Sequence, residues 1–137
     1  MTNRGPQELN EDLILGLPDE GPVVMVNLVR FKDRSSDGVG SGWDAYTRYS
    51  KAISPLMREV GAKILWSGQI EGVAYGDRNG RYWDFVVLVR YPSRKAFLNM
   101  VTSPAYAEGN VHRENGVADH VILAAGESFS RFVPTST

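Results

Sequence analysis

What chemistry this sequence can offer sits in a few side chains. His112 and His120 are its two imidazoles, the side chains that titrate nearest neutral pH and serve most often as general bases. Asn27 is the one polar residue inside the apolar run Val23-Val24-Met25-Val26-Asn27-Leu28-Val29. A carboxamide left unpaired in a buried strand costs about 1–3 kcal/mol. Asn27 must therefore meet a ligand, or else bond to a neighbouring strand group or a buried water. Asn27, His112 and His120 are the catalytic candidates.

Trp66, Tyr46, Tyr106 and Arg90 are the binding candidates. An indole offers a large face and one donor, and a phenol can anchor a carbonyl or donate a proton. Strict alternation puts Ile64, Trp66, Gly68 and Ile70 on one face of a strand, with Trp66 beside the gap at Gly68. Tyr46, Tyr49 and Tyr106 also suit plain core or rim packing on helices. Asp84 and Arg90 are either an entrance pair or solvated strand ends, and both histidines also suit an ordinary surface.

Other chemistries are excluded or unsupported. With no cysteine, thiolate nucleophiles, iron–sulfur clusters and Cys-based zinc sites are ruled out. His112 and His120, eight apart across Gly116, match no metal-ligand spacing, so no metal and no cofactor is expected. Gly38-Val39-Gly40-Ser41-Gly42 has Trp43 where a dinucleotide loop needs its third glycine, and reads as a flexible insertion. No serine sits in a G-x-S-x-G elbow. Fifteen basic residues stand against 16 acidic ones, a net charge of −1 with no basic stripe, which argues against nucleic acid. No apolar stretch approaches the roughly 20 residues of a membrane span. The N-terminus lacks the apolar core of a secretion signal, so the expected compartment is cytoplasmic.

These side chains need elements to position them, and 137 residues is one domain's worth of chain. Residues 1–20 read as a helical extension, with a short amphipathic helix over Gln7–Leu17. Residues 21–127 read as the core and 128–137 as a tail. Within the core, Val23–Phe31 is a strand, and Trp43–Val60 carries a helical stripe interrupted by Ser54-Pro55, where a kink or a restarted helix is expected. Ala62–Ala74 reads as a long strand with a bulge or bend at Gly68 or Gly72, followed by a hairpin turn at Asp77-Arg78-Asn79-Gly80. Trp83–Tyr91 is the third strand. Ser93 caps a second helix that Ser103-Pro104 restarts, and Asp119–Ala125 is the fourth strand.

The order is β-α-β-β-α-β, a ferredoxin-like α+β fold with an antiparallel sheet and both helices on one face. Val23–Val29 and Phe85–Val89 are apolar on both faces, which indicates burial on both sides. The helices cover one side only. A homodimer whose sheets pack face to face, enclosing a space between them, covers the other.

The segments Val23–Phe31, Tyr46-Thr47-Arg48-Tyr49, Gly61-Ala62-Lys63-Ile64-Leu65-Trp66, Val89-Arg90-Tyr91-Pro92-Ser93-Arg94 and Ser103-Pro104-Ala105-Tyr106 resemble the DUF1330 family. The resemblance spans about Val23 to Ala125. It implies the dimeric α/β-barrel superfamily and gives no activity, since the family has none assigned. Relatives in the wider superfamily include cofactor-independent monooxygenases and small-molecule isomerases. The monooxygenases place an asparagine and a tryptophan on the face lining the cavity, parts that Asn27 and Trp66 could play here.

Two functions follow as expectations. One is a small-molecule enzyme, oxygenase- or isomerase-like, with a pocket inside the dimeric barrel for a small apolar or aromatic ligand. There Asn27 would orient a carbonyl or oxyanion, Trp66 would stack, and His112 or His120 would move a proton. The alternative is a non-catalytic dimer that binds a ligand or a partner.

Overall fold

The computed structural model describes residues 9–16, 21–78 and 82–131. In chain order the elements are α1 (Glu11–Gly16), β1 (Val23–Phe31), α2 (Gly42–Val60), β2 (Lys63–Gln69), β3 (Phe85–Tyr91), α3 (Arg94–Val101), α4 (Pro104–Gly116) and β4 (Val117–Gly126). The four strands form one sheet in the order β2-β3-β1-β4, with every neighbouring pair antiparallel. This is the expected ferredoxin-like α+β architecture. The two doubly apolar strands, β1 and β3, lie at its centre. Among the described residues, no helix is long and apolar enough to cross a membrane.

Local chemistry sets the helix boundaries. Ser41 caps α2 in a reciprocal box with Asp44, each side chain bonding the other residue's backbone N–H. Gly61 ends α2 in the left-handed conformation, φ 79°, which a glycine adopts without a Cβ penalty. Ser93 caps α3, and Ser103 caps α4 with Pro104 just inside, so the expected restart occurs there. Ser54-Pro55 behaves differently. The helix continues through it, because Tyr46, Tyr49, Ile53, Leu56 and Val60 pack on the core from both sides of the proline. Ser54 serves instead as an acceptor for Arg58, at 3.1 Å.

The remaining differences lie at strand ends. β2 stops at Gln69 rather than running on to Ala74, and its irregularity falls between Ile64 and Trp66 rather than at Gly68 or Gly72. β3 begins at Phe85, two residues later than expected, although the Asp84 backbone still donates to the Val29 carbonyl (2.8 Å) and accepts from the Ile70 N–H (2.9 Å), while its carboxylate accepts from the Phe31 N–H (2.9 Å). β4 is longer, starting directly from α4 at Val117. Asn79 and Gly80 of the expected turn, the first residues of the N-terminal helix, Leu17 and the end of the tail lie outside the described residues. The loop between β1 and α2 is tied down by Ser35 N–H to Gly40 C=O (2.9 Å), Ser36 N–H to Asn115 C=O (2.8 Å) and Val39 N–H to the Asp37 carboxylate (3.0 Å). The flexible insertion expected there is a bonded, turn-built segment.

The register assigns faces. Val23, Met25, Asn27 and Val29 of β1 share a face with Phe85, Val87, Val89 and Tyr91 of β3 and with His120, Ile122 and Ala124 of β4. This face carries the helices and the buried core. Val24, Val26, Leu28, Val86 and Leu88 form the opposite face, half-buried in the single chain, with Trp66 and Leu123 about half exposed.

One close approach holds the helices to the sheet. The Lys32 N–H donates to the Gly116 carbonyl (2.9 Å) and the Gly42 N–H donates to the Lys32 carbonyl (3.1 Å). The start of α2 and the end of α4 thus meet where β1 ends. A Cβ on Gly116 would lie 2.4 Å from the Gly42 carbonyl oxygen and 2.7 Å from Ala45 Cβ. Gly116→Ala is expected to cost about 1–3 kcal/mol through this overpacking. Gly72→Ala, where nothing lies within 4 Å, should stay within about 0.5 kcal/mol of the parent. Urea denaturation midpoints of the two variants check this, and equal midpoints would contradict the close approach.

Candidate functional site

A cleft of about 590 Å³ opens between α2 and the helix-bearing face of β2 and β3. Its floor is apolar, with Phe85, Val87 and Val89 from β3 and Ile53 from α2. Trp43, Tyr46, Tyr49 and Tyr106 bring aromatic faces, and Ile64 and Ser67 of β2 stand at the sheet edge. The tyrosine hydroxyls of Tyr49 and Tyr106 bond each other at 2.8 Å, joining α2 to α4. Both rings also meet edge to face, 6.1 Å apart.

Burial keeps the Tyr46 and Tyr49 phenols protonated. Desolvation, followed by the neighbouring Tyr106, pushes Tyr46 up to about 12, and the Arg113 charge only partly offsets this. Tyr49 is raised well above its ordinary value, again first by desolvation and then by Tyr106. At neutral pH Tyr46 and Tyr49 therefore offer hydroxyls as hydrogen-bond partners and no phenolate.

Asn27 lines the cleft and is fully engaged by protein groups. Its Nδ2 donates to the backbone carbonyls of Met25 (3.1 Å) and Val87 (3.3 Å), and its Oδ1 accepts from His120 Nε2 at 2.9 Å. The Arg113 guanidinium donates to His120 Nδ1 at 3.0 Å. An arginine can only donate, so Nδ1 must carry a lone pair and the proton must sit on Nε2, pointing at the Asn27 oxygen. The Asn27 amide orientation and the His120 tautomer thus fix each other. Arg113 is held in turn by Asn110, whose Oδ1 accepts from its Nε at 2.6 Å.

Desolvation, followed by the Arg113 charge, lowers the His120 pKa from 6.5 to about 3, while Asp119 opposes the shift weakly. With both ring nitrogens bonded and protonation held off, His120 is a fixed neutral donor rather than a free base. The other expected site residues are dispersed. The chain irregularity after Ile64 inserts Leu65, so Ile64 pairs with Val89 on the helix face but Trp66 pairs with Leu88 on the open face. Trp66 is therefore away from the cleft, its indole folded over Gly68. Arg90 is on that same open face and pairs with Glu127, Nε to Oε1 at 3.2 Å. His112 lines neither this cleft nor its neighbour described below, and its Nδ1 is buried without a partner. Among the described residues, no three His, Asp or Glu side chains cluster as a metal site.

Arg113 and Asn110 had no place among the sequence candidates. Their signal was position: Tyr106, Asn110 and Arg113 fall at four- and three-residue steps on one helix, ahead of a strand that must lie beside β1.

Comparisons with known proteins agree with this architecture. Residues 42–126 match the model of DUF1330, a domain of unknown function. A crystal structure of a protein of unknown function from Rhodopseudomonas palustris is similar, with 31% identity over 89% of this chain and 95% of that one and a TM-score of 0.79. A hydroxynitrile lyase from Passiflora edulis shares the fold at 20% identity, over 82% of this chain and 100% of that one, TM-score 0.57. So does a dimeric ferredoxin-like protein of unknown function from Bacteroides fragilis, at 14% identity over 78% and 97%, TM-score 0.53. No curated protein matches the chain.

The His120 arrangement has a measurable consequence. Below pH 6.5 the unfolded chain takes up a proton that the folded chain refuses until about pH 3. Its contribution is therefore complete above pH 6.5 and is lost as pH falls toward 3. At about 1.4 kcal/mol per pH unit, that is roughly 2–3 kcal/mol between pH 6.5 and 4.5. Urea unfolding across this window should show a markedly shallower pH slope for His120→Gln than for the parent; equal slopes would contradict a buried neutral imidazole.

Proposed function

The chain belongs to the DUF1330 family, and from that premise we propose that it is a homodimeric small-molecule-binding protein whose ligand, a small aromatic or otherwise apolar molecule, occupies the cleft under α2. The observation that carries this reading is the cleft's composition: about 590 Å³ walled inside by aromatic rings and aliphatic side chains, with Lys51, Arg58 and Ser67 exposed at its rim and the bonded hydroxyls of Tyr49 and Tyr106 as a polar feature of its interior. Apolar walls with a few fixed polar groups are the usual make-up of a ligand pocket. In the Tyr49–Tyr106 pair one hydroxyl hydrogen is consumed, which leaves the other able to donate to a ligand carbonyl. Binding is favoured over catalysis because His120 is locked neutral and Tyr46 and Tyr49 resist ionisation.

The same hydroxyl pair favours a second reading, an enzyme that polarises a carbonyl by hydrogen bonding alone. That mechanism needs no ionised side chain, and it would leave Asn27 and His120 to hold the wall rather than to move protons.

Homodimerisation is supported by the open sheet face. Val24, Val26, Leu28, Val86 and Leu88 lie there with Trp66 49% and Leu123 51% exposed, an apolar patch that a single chain leaves against water. A second copy offers the same apolar surface and, by two-fold symmetry, covers both at once. The Bacteroides fragilis protein of the same fold is described as dimeric.

Two measurements test the proposal. Titration calorimetry with acetophenone, an aromatic ketone, should give one site per chain. Tyr106→Phe should weaken it about 2–10-fold for the lost hydrogen bond. Ser67→Trp, at the exposed mouth of the cleft, should weaken it at least about tenfold by filling the pocket, a loss of about 1.4 kcal/mol. Unchanged affinity in Ser67→Trp would remove the ligand from this cleft. For assembly, Leu88→Lys should convert the sedimenting species from dimer to monomer, and a parent chain that sediments as a monomer would overturn the dimer.

A further inference from the structure

A second chamber of about 450 Å³ lies under the N-terminal helix, on the far side of the wall formed by Phe97, Val101, Tyr106 and Ile122. It is roofed by Leu9, Leu13 and Ile14 and floored by Met25 and Ala124 of the sheet. One wall is polar, with His120, Arg113 and Asn110. Arg113 is its distinctive member. This half-buried guanidinium donates Nε to the Asn110 amide oxygen and Nη1 to the neutral His120 ring. Both acceptors are uncharged, and no carboxylate among the described residues pairs with Arg113. A cation withdrawn from water without a counter-charge is costly. An arginine held rigid by two neutral acceptors, with Nη2 outside both bonds, presents a ready donor to an incoming carboxylate.

The rest of the chamber defines the ligand's body. Leu9, Leu13, Ile14, Phe97, Val101 and Ala124 are apolar. Glu11 and Glu114 also line it, but both are solvent-exposed, which puts them at the rim. There they leave room for one negative charge at Arg113 and repel a second. We infer that the chamber beneath α1 binds an apolar monocarboxylate, its carboxylate paired with Arg113 and its hydrocarbon under Leu13 and Ile14. This site does not depend on the ligand proposed for the aromatic cleft.

Octanoate, 1-octanol and the dicarboxylate suberate serve as probes, titrated calorimetrically into the full chain at pH 7.5. Octanoate is expected to bind once per chain, at least tenfold more tightly than octanol or suberate. Arg113→Gln should cost octanoate at least tenfold, and so should Leu13→Glu, which places a negative charge on the exposed roof. Ser67→Trp, which fills the other cleft, should leave octanoate binding unchanged. If Arg113→Gln does not fold, as judged by circular dichroism, Leu13→Glu decides. The inference is overturned if octanol matches octanoate, if suberate binds as well as octanoate, if octanoate is insensitive to Leu13→Glu, or if octanoate produces no binding heat.

Discussion

A carboxamide in the central strand has to be satisfied, and in this fold one line of hydrogen bonds does so. Asn27 on β1 meets His120 on β4, His120 meets Arg113 on α4, and Arg113 meets Asn110 one turn earlier. Each link fixes the next. The backbone carbonyls of Met25 and Val87 take both Asn27 amide hydrogens, which turns its oxygen toward His120. Arginine has no acceptor, so it sets the imidazole tautomer. The line therefore ties sheet and helix in one arrangement, in a region otherwise held by non-directional apolar packing. A network of this kind stabilises only when every member is bonded, and loss of any one leaves the others buried without partners. The line also reaches both spaces between sheet and helices: Asn27 lines the aromatic cleft, and His120, Arg113 and Asn110 line the chamber beneath α1.

Much of the fold was legible because its signals are local or topological. The continuous apolar character of Val23–Val29 and Phe85–Val89 located the central strands, and the β-α-β-β-α-β order then fixed their neighbours. The two Ser-Pro pairs separate what sequence can and cannot tell. At Ser103-Pro104 the preceding stripe of Ala96, Phe97, Met100 and Val101 has ended, so a new helix starts. At Ser54-Pro55 the stripe continues through Ile53 and Leu56, and packing on the sheet outweighs one missing amide donor. The same dipeptide has two outcomes, and the apolar pattern around it decides. β2 shows the opposite limit. Counting by twos assumes an unbroken ladder, and Ile64-Leu65-Trp66 is apolar throughout, with no glycine to mark the extra residue. The shift there moves Trp66 from the helix face to the open face.

The candidate site was legible to the same degree. Asn27 stood out by composition alone, and its partner His120 is one residue pair away from direct register, since Asn27 lies opposite Ile122 and Val29 opposite His120. Once the order of strands is known, that proximity follows. Arg113 was not visible because an arginine among Glu108, His112 and Glu114 reads as a solvated helix face. Its inward reach comes from the long stem and from the neutral acceptors waiting for it, which only packing reveals. The pairing of Trp66 with Asn27 failed for the reason already given, a single inserted residue.

Charge then separates what the interior can do from what its residue types suggest. Two tyrosines whose ionisation is pushed up, and a histidine whose protonation is pushed down, leave neutral hydroxyls and a neutral imidazole at physiological pH. Arg113 is the charged group of the hydrogen-bonded line, and its own neighbours do not neutralise it. It lowers the Tyr46, Tyr49 and His120 values together, so its field reaches both sides of the dividing wall. An anion bound beside it would weaken that field, raising the cost of ionising the phenols further while easing protonation of His120. The two compartments are thus electrostatically joined even though Phe97, Val101, Tyr106 and Ile122 stand between them. The Arg113 guanidinium, with no carboxylate partner among the described residues, is the physical reason.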